Sequence, residues 1–309
     1  LSIRRQRQMC IRDSANTEWV ARQLARHFRV AARDVGYAGL KDRHAVTTQW
    51  FSVPIRHAAP PLEQLAIEGV TLLQAIAHER KLRKGAILHN TFTITLRELA
   101  GDPDVLAQRL ETIRTHGMPN YFDAQRFGHD RHNLVLAHKL FTRQVKLPPY
   151  KRGIYLSAAR AWLFNQILAQ RITDKTWNTA LQGDVFWLNG TRRFFSTDQI
   201  DADIARRVAD GDIHPTGAMW GEGALPSHAG VAELENRVAA QWPDFRDGLA
   251  RFGLQQDRRA LRVIPTDLEF QIEAAKKNLQ ITFRLPAGSY ATTLLGELVS
   301  IVHPQTKSL

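Results

Sequence analysis

The sequence predicts a domain of mixed helices and strands that is interrupted by a mainly helical insertion. Strand-like patterns are frequent before residue 100 and return after residue 265, whereas the segment between them is mainly helical and nearly neutral in charge. Composition shifts at the KLPPYKRG stretch of residues 146–153, which we interpret as a domain junction. Apolar residues make up 44% of the 309-residue chain, which is enough for a packed core.

The first helix is predicted to begin at Asn16 or Thr17, because either side chain can cap it and apolar residues then recur at helical spacing as far as Phe28. Four strands are predicted before residue 100, at 35–38, 48–55, 70–77 and 91–96. The third of these is largely apolar, so we expect it to be a buried strand.

Three helices are predicted in the next part of the chain, at 102–113, 133–141 and 157–172. Residues 118–128, between the first two, have the composition of a loop rich in aromatic residues. Strand alternation returns at 268–274 and 280–285. A strand–turn–helix sequence, LPAGSYATTLLGEL, follows, and Ser289 is its predicted N-cap.

Basic side chains outnumber acidic ones by 42 to 30, and the excess is concentrated in the first half of the chain. Residues 1–150 carry 23 Lys and Arg against 13 Asp and Glu, whereas residues 151–309 carry 19 against 17. This asymmetry is typical of a surface that binds a polyanion, and nucleic acid is the partner class we favour. No apolar run approaches the roughly 20 residues of a membrane-spanning helix, so we expect no membrane partner.

The cysteine content limits which disulfides, cellular compartments and metal sites are possible. The single cysteine, Cys10, excludes an internal disulfide and fits a reducing compartment, so we expect a cytoplasmic protein. Neither a paired-cysteine spacing nor an HExxH motif is present, so the sequence predicts no metal site. No segment indicates an obligate protein partner.

Residues 39–49 read GLKDRHAVTTQ, and the carboxylate of Asp42 lies between the cations Lys41 and Arg43. Neighbouring cations keep a carboxylate ionised well below neutral pH, which suits a nucleophile or an electrostatic anchor better than a general acid. The same residue types are also ordinary in a solvated turn, so this segment alone does not distinguish the two interpretations.

Two further segments carry groups that suit the binding of a nucleobase. PNYFDAQRFG, residues 119–128, contains the amide of Asn120 and the ring of Phe122, and LPAGSY contains Tyr290 at the start of a helix. Aromatic faces stack on splayed bases, and an amide can hydrogen-bond the edge of a pyrimidine. The alternative is that the two rings are core residues and that Asn120 belongs to a simple turn. An ionised carboxylate beside such groups fits chemistry on a flipped nucleoside without a cofactor.

In this order, the segments resemble the TruD family of tRNA pseudouridine synthases, which modify uridine 13 of tRNA. The resemblance covers residues 15–302, and GLKDRHAVT together with PNYFDAQRFG is its most specific part. It implies an α+β fold with a pseudouridine synthase catalytic core, a mixed, largely antiparallel sheet flanked by helices, formed by residues 15–145 and 265–309. Residues 146–264 would be the family's inserted, mainly helical TRUD domain.

The resemblance also implies a role for individual residues. Asp42 falls on the catalytic aspartate, which enables cleavage of the uracil–ribose bond before the base rotates and rejoins through carbon 5, with no cofactor. Whether the carboxylate attacks the ribose, adds to the base or removes a ribose proton stays open. Asn120 and Tyr290 fall on substrate-contacting positions, the second usually Phe in the family, and Phe122 falls where a ring stacks on the target base. Phosphate contacts are predicted from charge alone at Lys41, Arg43, Arg80, Lys81, Arg83 and Lys84.

The amino-terminal segment departs from the family. Family members carry a strand of the type P-x-D-F-x-V-x-E before the first helix, where this chain has LSIRRQRQMCIRDS at residues 1–14. We interpret residues 1–14 as a tag or assembly scar outside the fold, and expect an unpaired sheet edge and a missing pocket wall. The alternative function is therefore a non-catalytic tRNA-binding or tRNA-folding protein on the same scaffold. A nucleic-acid hydrolase ranks last, since the sequence shows neither clustered carboxylates nor a metal-binding set.

Overall fold

The structure is a computed structural model that describes residues 5–13, 16–41, 45–55, 65–191 and 193–300. The chain divides into two compact units, Leu1–Asn90 and Thr91–Leu309. Both units combine helices with antiparallel strand pairs, in agreement with the predicted α+β class. Within the described ranges, no helix is long and apolar enough to span a bilayer.

The first unit contains a four-stranded antiparallel sheet and one α-helix. Its strand order is β2 (Gly36–Tyr37), β3 (Thr47–Ile55), β1 (Arg5–Asp13) and β4 (Val70–His78). Helix α1 (Thr17–His27) begins at the predicted N-cap, because the Asn16 side chain accepts a hydrogen bond from the Glu18 amide at 2.9 Å. The buried stripe of α1 shares one apolar cluster with Phe51 and Val53 of β3, which confirms the predicted apolar spacing of the helix.

Two expectations about this sheet are wrong. The exclusion of residues 1–14 from the fold fails for Arg5–Asp13, which pairs with β3 on one side and with β4 on the other. Strand ladders are made by backbone N–H and C=O groups, so a segment without the family's motif can still occupy this position. The predicted buried strand at 70–77 instead forms β4, which has one strand neighbour among the described residues and leaves Leu73 52% exposed.

In the second unit, the first and last strands share a three-stranded sheet. Its order is β12 (Thr266–Glu273), β13 (Asn278–Pro286) and β5 (His89–Leu96). Helices α2 (Pro103–His116) and α8 (Ala291–Leu298) bury Leu110 and Leu294 in one apolar cluster with Phe283 of β13. These elements confirm the predicted strands and helices on both sides of the helical segment.

The middle of the second unit combines five helices with a second sheet. The helices are α3 (His132–Phe141), α4 (Pro149–Thr173), α5 (Ala202–Ala209), α6 (Ala229–Ala240) and α7 (Pro243–Arg251). The four-stranded antiparallel sheet has the order β10 (Asp257–Ala260), β9 (Ile213–Met219), β7 (Val185–Leu188) and β8 (Phe194–Ser196). The two helices predicted here are confirmed as α3 and α4, but the strands are too short for their alternation to stand out in the sequence.

Two ion pairs are buried in this part of the unit. Arg171 contacts Asp184 at 2.8 Å, and Arg258 of β10 contacts Glu235 of α6 at 2.8 Å, with all four side chains at most 1% exposed. Burial raises the pKa of Asp184, although the hydrogen bond and the positive charge of Arg171 act to lower it. Such pairs are costly to break because the remaining charge stays in a dry environment.

The predicted domain junctions, near residues 146 and 264, both lie inside the second unit, whereas the boundary between the units falls after Asn90. The division into a catalytic domain and a TRUD insertion domain therefore stays a prediction.

Candidate functional site

A two-stranded antiparallel ladder fixes the backbone at the start of the aromatic segment, residues 118–128. Strand β6 (Met118–Pro119) pairs with β11 (Arg262–Val263), and the Asn120 amide donates to the Leu261 carbonyl at 2.8 Å. Gly117 has a φ of 77°, and a Cβ at this position would lie 2.6 Å from the carbonyl oxygen of Val263. Only glycine fits there, so the local sequence permits the close approach that fixes the backbone of Asn120.

The Asn120 side chain is 8% exposed and bonded at both ends. Its Nδ2 donates to the Ala260 carbonyl at 2.9 Å. Its Oδ1 accepts from Arg259 Nη2 at 2.6 Å and from Ser289 Oγ at 3.2 Å. Because the donor and acceptor ends have different partners, the orientation of the amide is determined. The predicted substrate contact is thus held in place by two distant segments of the chain.

Arg259 connects the parts of the site, although the predictions from the sequence do not include it. Its Nε and Nη2 donate to the Asn120 carbonyl at 3.2 and 3.1 Å, and Nη2 also donates to the Gly288 carbonyl at 3.0 Å. Its guanidinium carbon lies 4.0 Å from the centre of the Phe122 ring, a cation–π contact. Burial lowers the pKa of Arg259 to about 10, which leaves the side chain protonated at neutral pH.

Phe122 is buried and held through its backbone. Its amide donates to Asn165 Oδ1 at 2.9 Å, and its carbonyl accepts from Asn165 Nδ2 at 2.8 Å. The ring meets Phe164 edge-to-face, with 5.6 Å between the ring centres. The Arg259 guanidinium already lies over one face of the Phe122 ring. A base could stack on Phe122 only on the other face of the ring or after the guanidinium is displaced. The stacking of Phe122 on a base therefore stays a prediction.

Tyr290 is fixed by its hydroxyl group, which accepts hydrogen bonds from Arg126 Nε at 3.2 Å and Nη2 at 2.9 Å. Arg126 also donates from Nη1 to Ser157 Oγ at 3.1 Å. The predicted N-cap is wrong, because Tyr290 occupies the N-cap position of α8, without a capping bond from its side chain, and the Ser289 hydroxyl bonds Asn120. A phenylalanine at this position could not accept the two bonds, so the hydroxyl positions the ring in this chain.

Tyr121 and Glu297 adjoin this cluster. Burial, reinforced by the Glu297 carboxylate, raises the pKa of Tyr121, and burial also raises the pKa of Glu297. The Tyr121 hydroxyl is therefore a neutral donor at neutral pH and does not act as a base.

Four of the predicted phosphate contacts are exposed on the loop that follows β4 in the first unit: Arg80, Lys81, Arg83 and Lys84. This loop is tied to the segment before Asp42, because the Gly85 amide donates to the Ala38 carbonyl at 2.8 Å. The loop that carries these cations is thus bonded to the chain just before Asp42 in the sequence, which suits the predicted contact with phosphate.

The residue before Asp42, Lys41, is anchored by two hydrogen bonds. The Lys41 amide donates to Thr17 Oγ1 at 3.0 Å, and its Nζ donates to Asn90 Oδ1 at 2.6 Å. Asp42 and Arg43 lie outside the described residues. The roles assigned to this carboxylate and to both neighbouring cations stay predictions.

The structure brings together three predicted residues, Asn120, Phe122 and Tyr290, although the first and last are 170 positions apart. Amide and hydroxyl groups beside aromatic rings suit a flat heterocycle with a hydrogen-bonding edge. In the part of the chain that the structure describes, no group of three His, Cys, Asp or Glu side chains is arranged to hold a metal ion.

Comparison with known proteins gives consistent matches. A family model described as tRNA pseudouridine synthase D (TruD) matches residues 10–146 and 138–298. The tRNA pseudouridine synthase D of Hydrogenovibrio crunogenus is 44% identical over 288 residues, 93% of this chain and 83% of that protein. Its namesake from Methylococcus capsulatus is 49% identical over 287 residues, 92% and 80% of the two chains. The solved structure of a putative tRNA pseudouridine synthase D from Methanosarcina mazei has the same fold, with a TM-score of 0.69 and 18% identity over 96% of this chain and 87% of that one.

Proposed function

The chain belongs to the TruD family of tRNA pseudouridine synthases, and we propose that it converts uridine 13 of tRNA to pseudouridine with Asp42 as the essential carboxylate. The observation that carries the proposal is the convergence of Asn120, Phe122 and Tyr290 in one bonded cluster. Amide and aromatic groups of this kind recognise an unstacked pyrimidine by its edge and its face. The family match supports the type of reaction, and the cluster supports the type of substrate.

The proposed reaction is an isomerisation that retains every atom of the nucleoside. The bond from uracil N1 to ribose C1′ breaks, the base turns, and carbon 5 forms the new bond to C1′. The hydrogen that leaves carbon 5 is balanced by the one that N1 gains. An ionised Asp42 suits attack on the ribose, addition to the base and removal of a ribose proton. None of these routes requires an oxidant, a reductant or a cofactor.

In this proposal, Asn120 and Tyr290 hold the uracil, Phe122 supports it, and cations of the first unit contact phosphate. Arg259 and Arg126 fix the side chains of Asn120 and Tyr290 before the substrate arrives. Preorganised contacts of this kind lower the entropic cost of reaching the reactive geometry.

The proposal is tested by incubating the chain with an unmodified tRNA transcript and mapping pseudouridine at single-nucleotide resolution. We expect new pseudouridine at position 13, and none in a matched transcript with cytidine at that position. Absence of pseudouridine at every position would overturn the proposal. If the same chain bound tRNA with a steep salt dependence but formed no product, the non-catalytic tRNA-binding function would replace it.

Replacing Arg259 with Met is expected to lower kcat by about 10- to 100-fold, because a small displacement of Asn120 misplaces the bound base. KM is expected to change by less than about threefold, since the substitution leaves the proposed phosphate contacts intact. Arg259→Lys, which can keep one of the bonds, should retain an intermediate kcat. Arg284→Met is the matched control, because Arg284 is exposed on β13 and its one ion pair within the described residues is with exposed Asp267 at 3.0 Å. A normally folded Arg259→Met chain with wild-type kcat would contradict the positioning role.

A further inference from the structure

A basic surface surrounds the connection between α3 and α4 in the second unit. Residues 129–152 contain six Lys and Arg side chains against one Asp. Five of the six, which we call the α3–α4 cation cluster, lie at the end of α3, in the connection and in the first turn of α4: Lys139, Arg143, Lys146, Lys151 and Arg152. This cluster is distinct from the predicted phosphate contacts, which all belong to the first unit.

The cluster is open to solvent and is not neutralised locally. All its members except the partly buried Arg152 are exposed, and none forms an ion pair with a carboxylate within the described residues. Some surface arginines elsewhere in the unit do have such partners: Arg206 lies 3.1 Å from Asp210 and Arg207 lies 2.6 Å from Asp212. The α3–α4 cation cluster is therefore a local surplus of positive charge.

Helix electrostatics point to an anionic ligand. Lys151 and Arg152 stand in the first turn of α4, where the helix dipole disfavours cations. No acidic residue occurs in this turn, and the N-cap, Pro148, makes no side-chain bond to the helix. An anion bound there would be attracted by the cations and by the helix terminus together, and phosphate is the ion that helix N-termini commonly bind.

Both helices connect the cluster with the candidate site. Ser157 of α4 accepts a bond from Arg126 at 3.1 Å, and Lys151 precedes it by six residues, about 9 Å along the helix. Asn133 of α3 donates to the Arg126 carbonyl at 3.1 Å, and Lys139 follows it by six residues, again about 9 Å along the helix. Both paths start at Arg126, one at its side chain and one at its carbonyl, and each places the near edge of the cluster about 10 Å away, within reach of nucleotides that flank a bound base.

We propose that the α3–α4 cation cluster binds the sugar–phosphate backbone of tRNA beside the modified nucleotide. The identity of the RNA rests on the proposed function, whereas the charge and the helix terminus specify a polyanion. Contacts with phosphate orient a nucleic acid without reading its bases. The cluster therefore contributes affinity and register, while the bonded cluster around Asn120 acts on the base.

Neutralisation of the cluster tests this proposal. The test variant replaces three exposed members by glutamine: R143Q, K146Q and K151Q. The matched control removes three exposed cations from other parts of the same unit, none of them ion-paired in the described structure: K175Q, R193Q and R237Q. In about 0.1 M salt, we expect the test variant to bind tRNA at least about tenfold more weakly, with a salt slope shallower by about 2 to 3. We expect its kcat at saturating tRNA to match that of the control, whose affinity stays within about twofold of wild type.

Equal affinities and salt slopes in the test and control variants would overturn the proposal if the wild-type chain binds and converts tRNA. If the wild-type chain forms no pseudouridine, the proposed function fails, yet a selective loss of salt-dependent binding in the test variant would still support the cluster.

Thermal melting establishes that both variants fold. If the triple variant melts at a lower temperature than the wild-type chain, the single variant K146Q is tested instead, because it changes only the connection between the helices. We expect K146Q to make the salt slope of tRNA binding shallower by about 1. An unchanged slope in that variant would also count against the proposal.

Discussion

Replacing Asp42 with Asn is expected to slow pseudouridine formation by at least about a thousandfold while tRNA affinity changes by less than about threefold. Asparagine keeps the size of the side chain but removes the ionised oxygen on which all three proposed routes depend. Lys41 and Arg43 remain in the variant, so the attraction of the segment for phosphate is not weakened. Single-turnover rates at saturating enzyme measure the chemical step, and fluorescence anisotropy with labelled tRNA measures affinity.

Asp130→Asn provides the matched control for this experiment. The Asp130 side chain is 88% exposed. Its φ of 48° falls in the left-handed region that Asn tolerates well. We expect this variant to keep the wild-type rate. If Asp42→Asn retained more than about a tenth of the wild-type rate, the essential role of the carboxylate would be wrong.

Local signals predicted most of the helices and the longer strands β3, β4, β5, β12 and β13, but not β1 or the short strands β6 to β11. Asn16 and Asp102 cap the helices that the sequence places after them, because capping depends on a side chain and an amide only two residues away. The errors concern tertiary context. A strand is buried or exposed according to its neighbours in the sheet, so the apolar composition of β4 could not show that it has a single strand neighbour among the described residues.

The residues of the candidate site also fall into those that local sequence signals could predict and those that depend on tertiary contacts. Asn120, Phe122 and Tyr290 could be predicted, because their residue types and motifs suit a nucleobase. Arg259 could not, since its bonds reach segments near residues 120 and 288 that are far from it in the sequence. The adjacent arginines of RRALRV offered one signal, because neighbouring residues of a strand face opposite sides and Arg258 and Arg259 therefore serve different environments.

Replacing Glu235 with Ala is expected to lower the free energy of unfolding by about 3–5 kcal/mol, because the buried Arg258 loses its counter-ion. The Glu235 carboxylate accepts hydrogen bonds from the Ala218 amide at 2.9 Å and from Ser227 Oγ at 2.6 Å, besides its contact with Arg258. Urea denaturation at 25 °C measures the change. Glu233→Ala, an exposed position on the same helix, is the matched control and should cost less than about 0.5 kcal/mol.

The double variant E235A/R258M separates the loss of charge pairing from the loss of packing. If an unpaired charge causes the damage, removing that charge should recover part of the stability, so the double variant should be more stable than E235A. Because Arg258 and Arg259 alternate along β10, E235A should also lower kcat under conditions where the chain remains folded, as the strand that carries Arg259 shifts. A large loss of stability with wild-type kcat would mean that the bonds of Arg259 to Asn120 and Gly288 hold the site without help from the buried pair.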